Sequence, residues 1–381
     1  LENAYVMSLK NNSDDVKRAI MDKGAVGVQY YHSNSRLLWN SEKQIWTYYD
    51  PAITGGGHNV MIVGWDDDFA TDNFVGNKPT HNGAWLIRNS WGFQQSYFWM
   101  SYENQSLLDA AWVFDMNTAD NYDNNYQLDG GIDSYNVSNQ ICQYKTYSNV
   151  FNVQEKEGIA SENLEAVSLS FTHVADVNYK VEVYTDLKDS NPYSGTKQEV
   201  ATTEGTTTYA GLYTIPLKES VQLTPGSSFS IVVTTDKYSL DYEQGINWEK
   251  DGVKVWDAPV SLNSGKSFYG NSNYQWSWYW GNFCIKAFTT NNRDFGEKIK
   301  GTSATLNGSI DMNLYVDIPK NSELMNDQDA YIEFTVNGNI SKVKVSNAEE
   351  TEHGKKFTCP VVAKEMTSEI QVRFVSEGER S

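Results

Sequence analysis

The sequence has little cysteine and little proline. Its three cysteines are widely spaced and odd in number, which excludes a disulfide framework and a zinc-binding pattern. Only 8 of the 381 residues are proline, whereas 24 are tyrosine, 12 are tryptophan and 15 are phenylalanine. Such a composition is typical of β-sheet proteins. Cys284 lies in a strand-like run and is predicted to be a buried, unreactive thiol.

Long hydrophobic runs and an excess of positive charge are also lacking. No run approaches the ~18 apolar residues of a membrane span. The formal net charge of -19 argues against a nucleic acid partner, because a polyanion would be repelled. The acidity fits an exported protein. No signal peptide is visible, and because the chain starts at Leu1 we expect residue 1 to be a fragment start or a processing site.

A chain of this length predicts two or three domains. Residues 1–116 combine a helix at 13–23 with several strands, which indicates an α+β unit. Residues 117–290 alternate apolar and polar residues between regular turn signals, as in an all-β sandwich. Residues 291–381 are predicted to form a smaller, immunoglobulin-like β module. Polar segments at 117–125 and 289–294 are expected to separate the three.

Two apolar runs, residues 59–65 and 84–89, are predicted to pair as antiparallel strands. Because one run follows His58 and the other ends at Asn89, the pairing places these side chains together. An imidazole oriented by a neutral amide can serve as base and acid beside a nucleophilic thiol. Taken singly, a histidine at a strand edge and an asparagine before a turn are ordinary structural residues. Trp91 is expected to lie over the Asn–His hydrogen bond and exclude water.

The residues around this pair resemble a known family. The segments 57–65 (GHNVMIVGW) and 85–92 (WLIRNSWG) are similar to the His and Asn blocks of papain-like cysteine peptidases. The resemblance covers residues 1 to about 115. It implies a papain-like, β-rich subdomain in which His58 and Asn89 are catalytic.

The same resemblance implies further site residues. Gly57 would meet the substrate backbone, and Trp91 would support the pair. Val26 would line the substrate pocket, with core packing as the alternative reading. In the family, the nucleophilic Cys and the oxyanion Gln precede the His, by roughly 130 or more residues for the Cys. Both would lie upstream of Leu1, so the chain would carry half of a site and be inactive without its N-terminal half.

The segment that follows resembles a particular subgroup of bacterial surface cysteine peptidases. Residues 121–130 (NYDNNYQLDG) are similar to the start of that subgroup's lectin-like β-domain, and residues 266–269 and 281–288 to its end. This resemblance implies a secreted or cell-wall endopeptidase that acts on protein or peptide substrates and requires no cofactor. The alternative is a non-catalytic surface adhesin or glycan-binding protein with a degenerate protease domain.

An aromatic run in the second domain offers a candidate binding surface. Trp276, Trp278 and Trp280 alternate along a strand-like segment, so their side chains would share one face. Such a platform could stack on the sugar rings of cell-wall or host glycans. A sandwich core would use the same pattern.

Two further groups of residues were weighed as metal sites. An acidic loop could hold a structural calcium ion through its carboxylates, although a solvated loop is the ordinary reading. Its members are Asp66, Asp67, Asp68 and Asp72. The histidines other than His58 show no ligand spacing and are expected at the surface or in loops.

Overall fold

The computed structural model describes most of the chain. It covers residues 1–92, 95–118, 121–130, 135–136, 145–156, 158–243, 247–257, 265–270, 276–278, 281–293, 295–306, 310–365 and 367–376. Side chains are described in these ranges except at 135–136, 247–250, 253–257 and 276–278. All structural statements below refer to these residues.

The described chain is mostly β-sheet with two α-helices. The helices are α1 (Ser13–Lys23) and α2 (Glu323–Asn326). The strands are β1 (Asn3–Met7), β2 (Val26–His32), β3 (Leu37–Asn40), β4 (Ile45–Tyr48), β5 (Gly56–Asp66), β6 (Ala84–Arg88), β7 (Tyr97–Ser101), β8 (Leu107–Asp115), β9 (Asn124–Tyr126), β10 (Tyr135–Asn136), β11 (Thr146–Asn152), β12 (Ile159–Phe171), β13 (Asn178–Thr185), β14 (Thr196–Lys197), β15 (Thr203–Thr206), β16 (Ala210–Leu223), β17 (Ser228–Thr235), β18 (Asp241–Glu243), β19 (Asn247–Lys250), β20 (Val253–Asp257), β21 (Ser267–Gly270), β22 (Trp276–Trp278), β23 (Asn282–Phe283), β24 (Ile285–Arg293), β25 (Lys298–Leu306), β26 (Ile310–Asp317), β27 (Tyr331–Val336), β28 (Asn339–Lys344), β29 (Glu349–Thr351), β30 (Gly354–Val361) and β31 (Ile370–Val375).

Helix α1 has the predicted limits. Asp14 and Asp15 lie in its first turn, where the positive end of the helix dipole favours carboxylates. The predicted N-cap, Ser13, is instead the first helical residue, a shift of one position at a frayed end. Because its apolar residues recur at helical spacing, one face of α1 is buried. The residues of this face are Val16, Ala19 and Ile20.

A twelve-stranded sheet positions the residues around His58. Its strand order is β3-β4-β7-β6-β5-β2-β8-β1-β16-β12-β24-β9. The predicted antiparallel pairing is present, with Ile62 of β5 opposite Ile87 of β6. Strand β5 also pairs with β2, and this register sets Tyr30 directly opposite His58. His58 therefore lies at one end of a central strand.

The core beneath this sheet follows the two-residue period of its strands. Val26, Val28 and Tyr30 of β2 are buried, and so are Val60 and Ile62 of β5. These side chains belong to one cluster, which also takes in the apolar face of α1. Each fully buried side chain of this size contributes about 1.5–3 kcal/mol, so the cluster holds the His58 strand firmly.

Strand β1 joins the first predicted domain to the second. It pairs with β8 on one side and with β16 on the other, so Ala4 lies between Phe114 and Leu212. The Tyr5 ring stacks on the Tyr209 ring at 5.5 Å between centroids. The sheet therefore continues across the predicted domain limit at residue 116.

The chain divides into two compact units. The first contains Leu1–Phe151, Glu165–Glu219 and Phe229–Phe288, and the second contains Asn152–Leu164, Ser220–Ser228 and Thr289–Ser381. The three-domain division with limits at 116 and 290 stays a prediction. Residues 289–293 of the predicted 289–294 linker are described, and they belong to strand β24.

The second unit contains two small antiparallel sheets. Their strand orders are β25-β26-β30-β29 and β28-β27-β31. Leu314, Ile332 and Phe357 are among the buried residues of their common core. Cys359 is buried in the same cluster.

The expected fold class is correct only in its coarse form. The described structure is mostly β-sheet, and α1, with 11 residues, is the only helix longer than four residues in the described ranges. The α+β label and the papain-like subdomain stay predictions. In the described part of the chain, no helix is both long enough and apolar enough to cross a membrane.

Candidate active site

The structure brings His58 and Asn89 together. His58 Nε2 and Asn89 Oδ1 are 2.9 Å apart, a hydrogen-bond distance. Asn89 follows β6, is only 3% exposed, and donates its backbone N–H to the carbonyl oxygen of Ser96 at 2.8 Å. The amide is thus held from two sides, whereas His58 is half-buried at the sheet end.

The hydrogen bonds around Asn89 determine which imidazole nitrogen carries the proton. The backbone N–H of Ser90 donates to Asn89 Oδ1 at 2.9 Å, so the side-chain atom facing it must be the oxygen. His58 Nε2 meets that same oxygen and therefore donates to it. In neutral His58 the other ring nitrogen, Nδ1, is then an acceptor, which is the state that a general base requires.

Trp91 covers the His58 ring. The two ring centroids are 4.8 Å apart with an interplanar angle of 23°, a stacked arrangement. Trp91 also packs against the main core cluster. The indole thus covers one face of the imidazole, and excluding water there strengthens the hydrogen bond to Asn89.

The glycines before His58 have different environments. Gly55 has φ 93°, and a Cβ atom there would lie 1.7 Å from the carbonyl oxygen of His32. Only glycine permits this backbone approach. Gly57, the predicted substrate contact, is exposed beside His58, and a Cβ there would lie 3.4 Å from Gln29 Nε2. Gly55, rather than Gly57, is therefore the glycine whose backbone closely approaches another strand of the protein.

Val26 does not lie beside His58. The register of β2 and β5 places Val26 opposite Ile62, while Tyr30 lies opposite His58. Val26 has no exposed surface and belongs to the main core cluster. This position fits the alternative reading, core packing, and does not support the substrate-pocket role.

His32 was not singled out from the sequence, yet it lies at the site. Its ring is 5.9 Å from the His58 ring and makes an edge-to-face contact with Trp91 at 4.6 Å. His32 follows Tyr30 by two residues on β2, so both side chains are on the face that carries His58. The two-residue strand period was the signal that could have found it.

The acidic loop is occupied by protein partners. Asp67 Oδ1 accepts from Lys17 Nζ at 2.6 Å and from the Tyr102 hydroxyl at 2.8 Å, and these bonds lower the pKa of Asp67. Asp72 pairs with Lys78 at 2.6 Å. No group of three His, Cys, Asp or Glu side chains suited to a metal ion occurs among the described residues. Calcium in this loop stays a prediction.

The remaining predicted residues fall in other parts of the chain. Trp280 lies outside the described residues, and so do the side chains of Trp276 and Trp278. Cys142 also lies outside them. Cys284 and Cys359 are both buried, as expected for thiols in β-strand surroundings.

A family comparison identifies the domain that follows. Residues 125–289 match the family described as "Lectin like domain", so this part of the chain is a lectin-like domain. No curated protein matches the chain at a significant level.

Two solved structures are similar to the chain. One is the clostridial cysteine protease Cwp84 after propeptide cleavage, with a TM-score of 0.58, 27% identity, and 76% of this chain and 70% of that chain covered. The other contains the cysteine protease and lectin-like domains of Cwp84, a surface layer associated protein of Clostridium difficile. Its TM-score is 0.57 at 28% identity, covering 76% of this chain and 63% of that chain. The predicted relationship to clostridial surface cysteine proteases with a lectin-like domain is confirmed.

Proposed function

We propose that the chain carries the His/Asn half of a papain-like cysteine endopeptidase site, joined to a lectin-like domain. The observation that carries this proposal is the 2.9 Å contact between His58 Nε2 and Asn89 Oδ1, with the amide orientation fixed by the N–H of Ser90. This contact makes Nε2 the donor and leaves His58 Nδ1 as the acceptor that a general base requires.

The residues have distinct roles in this mechanism. A cysteine thiol, supplied by the segment before Leu1, would give its proton to His58 Nδ1. The imidazolium is stabilised by Asn89 Oδ1, and the thiolate attacks the peptide carbonyl. His58 Nδ1 then returns the proton to the leaving amine, which completes the acylation step. Trp91 keeps water from the Asn–His bond throughout.

The buried amide nitrogen of Asn89 also supports a functional site. Asn89 Nδ2 has no hydrogen-bond partner among the described residues, although it is buried. An unsatisfied buried donor costs about 1–3 kcal/mol, and such groups are retained where function requires them.

The similarity to a protein with a lectin-like domain supports a location outside the cell. The similar protein Cwp84 is described as surface layer associated. We therefore assign this chain to the secreted or cell-wall proteins of a bacterium, with proteins or peptides as substrates and glycans as candidate ligands of the lectin-like domain.

The proposal is tested by expressing the chain together with its upstream segment and assaying peptide cleavage. His58→Ala should abolish cleavage, with a loss of about 10³-fold or more, and a thiol-directed inhibitor should block the unmodified protein. His81→Ala is the matched control, because His81 is exposed and contacts Glu103. Cleavage that survives His58→Ala would refute the assignment.

A second function, a surface adhesin with a degenerate protease domain, is favoured by the lectin-like family match itself. The sequence upstream of Leu1 separates the two. A Gln followed closely by a Cys supports the peptidase, whereas Ser, Ala or Gly in place of that Cys supports the adhesin.

A further inference from the structure

A second imidazole is built into the wall of the candidate active site. The His32 ring is 5.9 Å from the His58 ring, and both contact Trp91: His58 by stacking and His32 edge-on at 88°. The three rings therefore form one cluster in which each contacts the other two. None of the comparisons assigns a role to His32.

Both nitrogens of His32 have partners within the protein. The Tyr30 hydroxyl is 2.8 Å from His32 Nδ1, and Asn34 Oδ1 is 2.9 Å from His32 Nε2. An amide oxygen can only accept, so Nε2 donates to Asn34 and Nδ1 accepts from Tyr30. This network holds the ring in one orientation.

The surroundings of His32 disfavour its charged form. Tyr30 of β2 is fully buried, the Tyr48 ring of β4 lies 5.7 Å away, and the His58 ring of β5 lies 5.9 Å away. Burial lowers the pKa of His32, the bond to Asn34 opposes this, and the nearby His58 lowers it further. Burial also raises the pKa of Tyr48.

We propose that His32 is a positioning residue of the candidate protease site, which holds Trp91 against His58. This inference rests on the proposed function. The His32 ring is fixed by Tyr30 and Asn34 and meets Trp91 edge-on. It therefore supports the indole from the side while the indole stacks on His58.

The first experiment needs no enzymatic activity. Imidazole NMR on the full chain follows the exchange of the His58 Nε2 proton with water. In His32→Ala, which frees Trp91, this proton should exchange at least about tenfold faster than in the unmodified protein. His32→Gln has an amide that can accept from Tyr30 and donate to Asn34, so it should change the rate little. His81→Gln is the control and should leave the rate unchanged.

The second experiment uses the chain with its upstream protease segment. His32→Gln should keep kcat/KM near that of the unmodified protein, whereas His32→Ala should lower kcat/KM by up to about a hundredfold through misplacement of His58. An unchanged His58 Nε2 exchange rate and an unchanged kcat/KM in His32→Ala overturn the role of His32. Absence of any peptide cleavage, with the exchange difference present, refutes the proposed function and leaves the support of Trp91 by His32 standing.

Discussion

Gly55, three residues before His58, offers the sharpest test of how the site is built. In Gly55→Ala the new methyl group would lie 1.7 Å from the carbonyl oxygen of His32, and the backbone has φ 93°. The left-handed conformation alone costs alanine about 1–2 kcal/mol. The clash is with backbone rather than with a flexible side chain, so relief requires a chain shift that costs about 1–3 kcal/mol more. We expect a total loss of about 2–5 kcal/mol.

The neighbouring glycine provides a matched control. Gly56 has no positive φ, and a Cβ there meets nothing within 4 Å. Gly56→Ala should therefore be neutral or stabilise by up to about 1 kcal/mol, because alanine has fewer unfolded conformations to lose. The two substitutions are chemically identical, so their difference isolates the strain at Gly55.

Thermal unfolding of the full chain measures both variants. A loss of 2 kcal/mol or more corresponds to a midpoint lowered by at least about 4 °C in a domain of this size. The signal should come from the transition that also releases the His58–Trp91 stack. If Gly55→Ala melts within roughly 1 °C of Gly56→Ala, the described approach of Gly55 to His32 is wrong.

Two further predictions concern the Asn89 amide and the hydrogen bond between Tyr209 and Asp15 of α1. Asn89→Ala removes the oxygen that accepts from His58 and Ser90, and it should lower kcat/KM of the complete protease by about 10²–10⁴-fold. Asn89→Asp keeps both hydrogen bonds and should lose less. Equal losses in the two variants would refute the orienting role. The Tyr209 hydroxyl donates to Asp15 at 2.6 Å, and this bond is the main reason that the pKa of Asp15 is lowered. A lowered pKa stabilises the fold above the unfolded value of about 3.9 and loses that effect as pH falls through the folded value. Tyr209→Phe should therefore cost about 0.5–1 kcal/mol in denaturant unfolding at pH 7, a figure reduced for solvent screening, and almost nothing at pH 2; an equal cost at both would contradict this.

Local sequence rules were sufficient for the elements nearest to His58. The apolar spacing of α1 predicted a helix at 13–23, and the structure has these limits. Residues 59–65 were predicted as a strand, which the structure extends to Gly56–Asp66. The antiparallel pairing of β5 with β6 also followed, because a one-residue slip would turn every apolar side chain to solvent. The family resemblance then singled out His58 and Asn89 from residues that are ordinary when taken alone.

Other features depend on distant parts of the chain and were not visible in any window of sequence. Strand β1 lies between β8 and β16, which is more than 200 residues later, and so ties the first predicted domain to the lectin-like domain. The position of Val26 opposite Ile62 likewise depends on strand register, which the residues of β2 alone do not give.

The sequence by itself determined the strand periodicity, the helix α1 and the chemistry of the His–Asn pair, because these depend on residue type and short spacing. The tertiary structure alone decided that Gly55 meets the His32 carbonyl and that His32 reaches Trp91. Both contacts depend on the register of β2 against β5. Register is set by the pairing of two strands, so the sequence of one strand does not determine it.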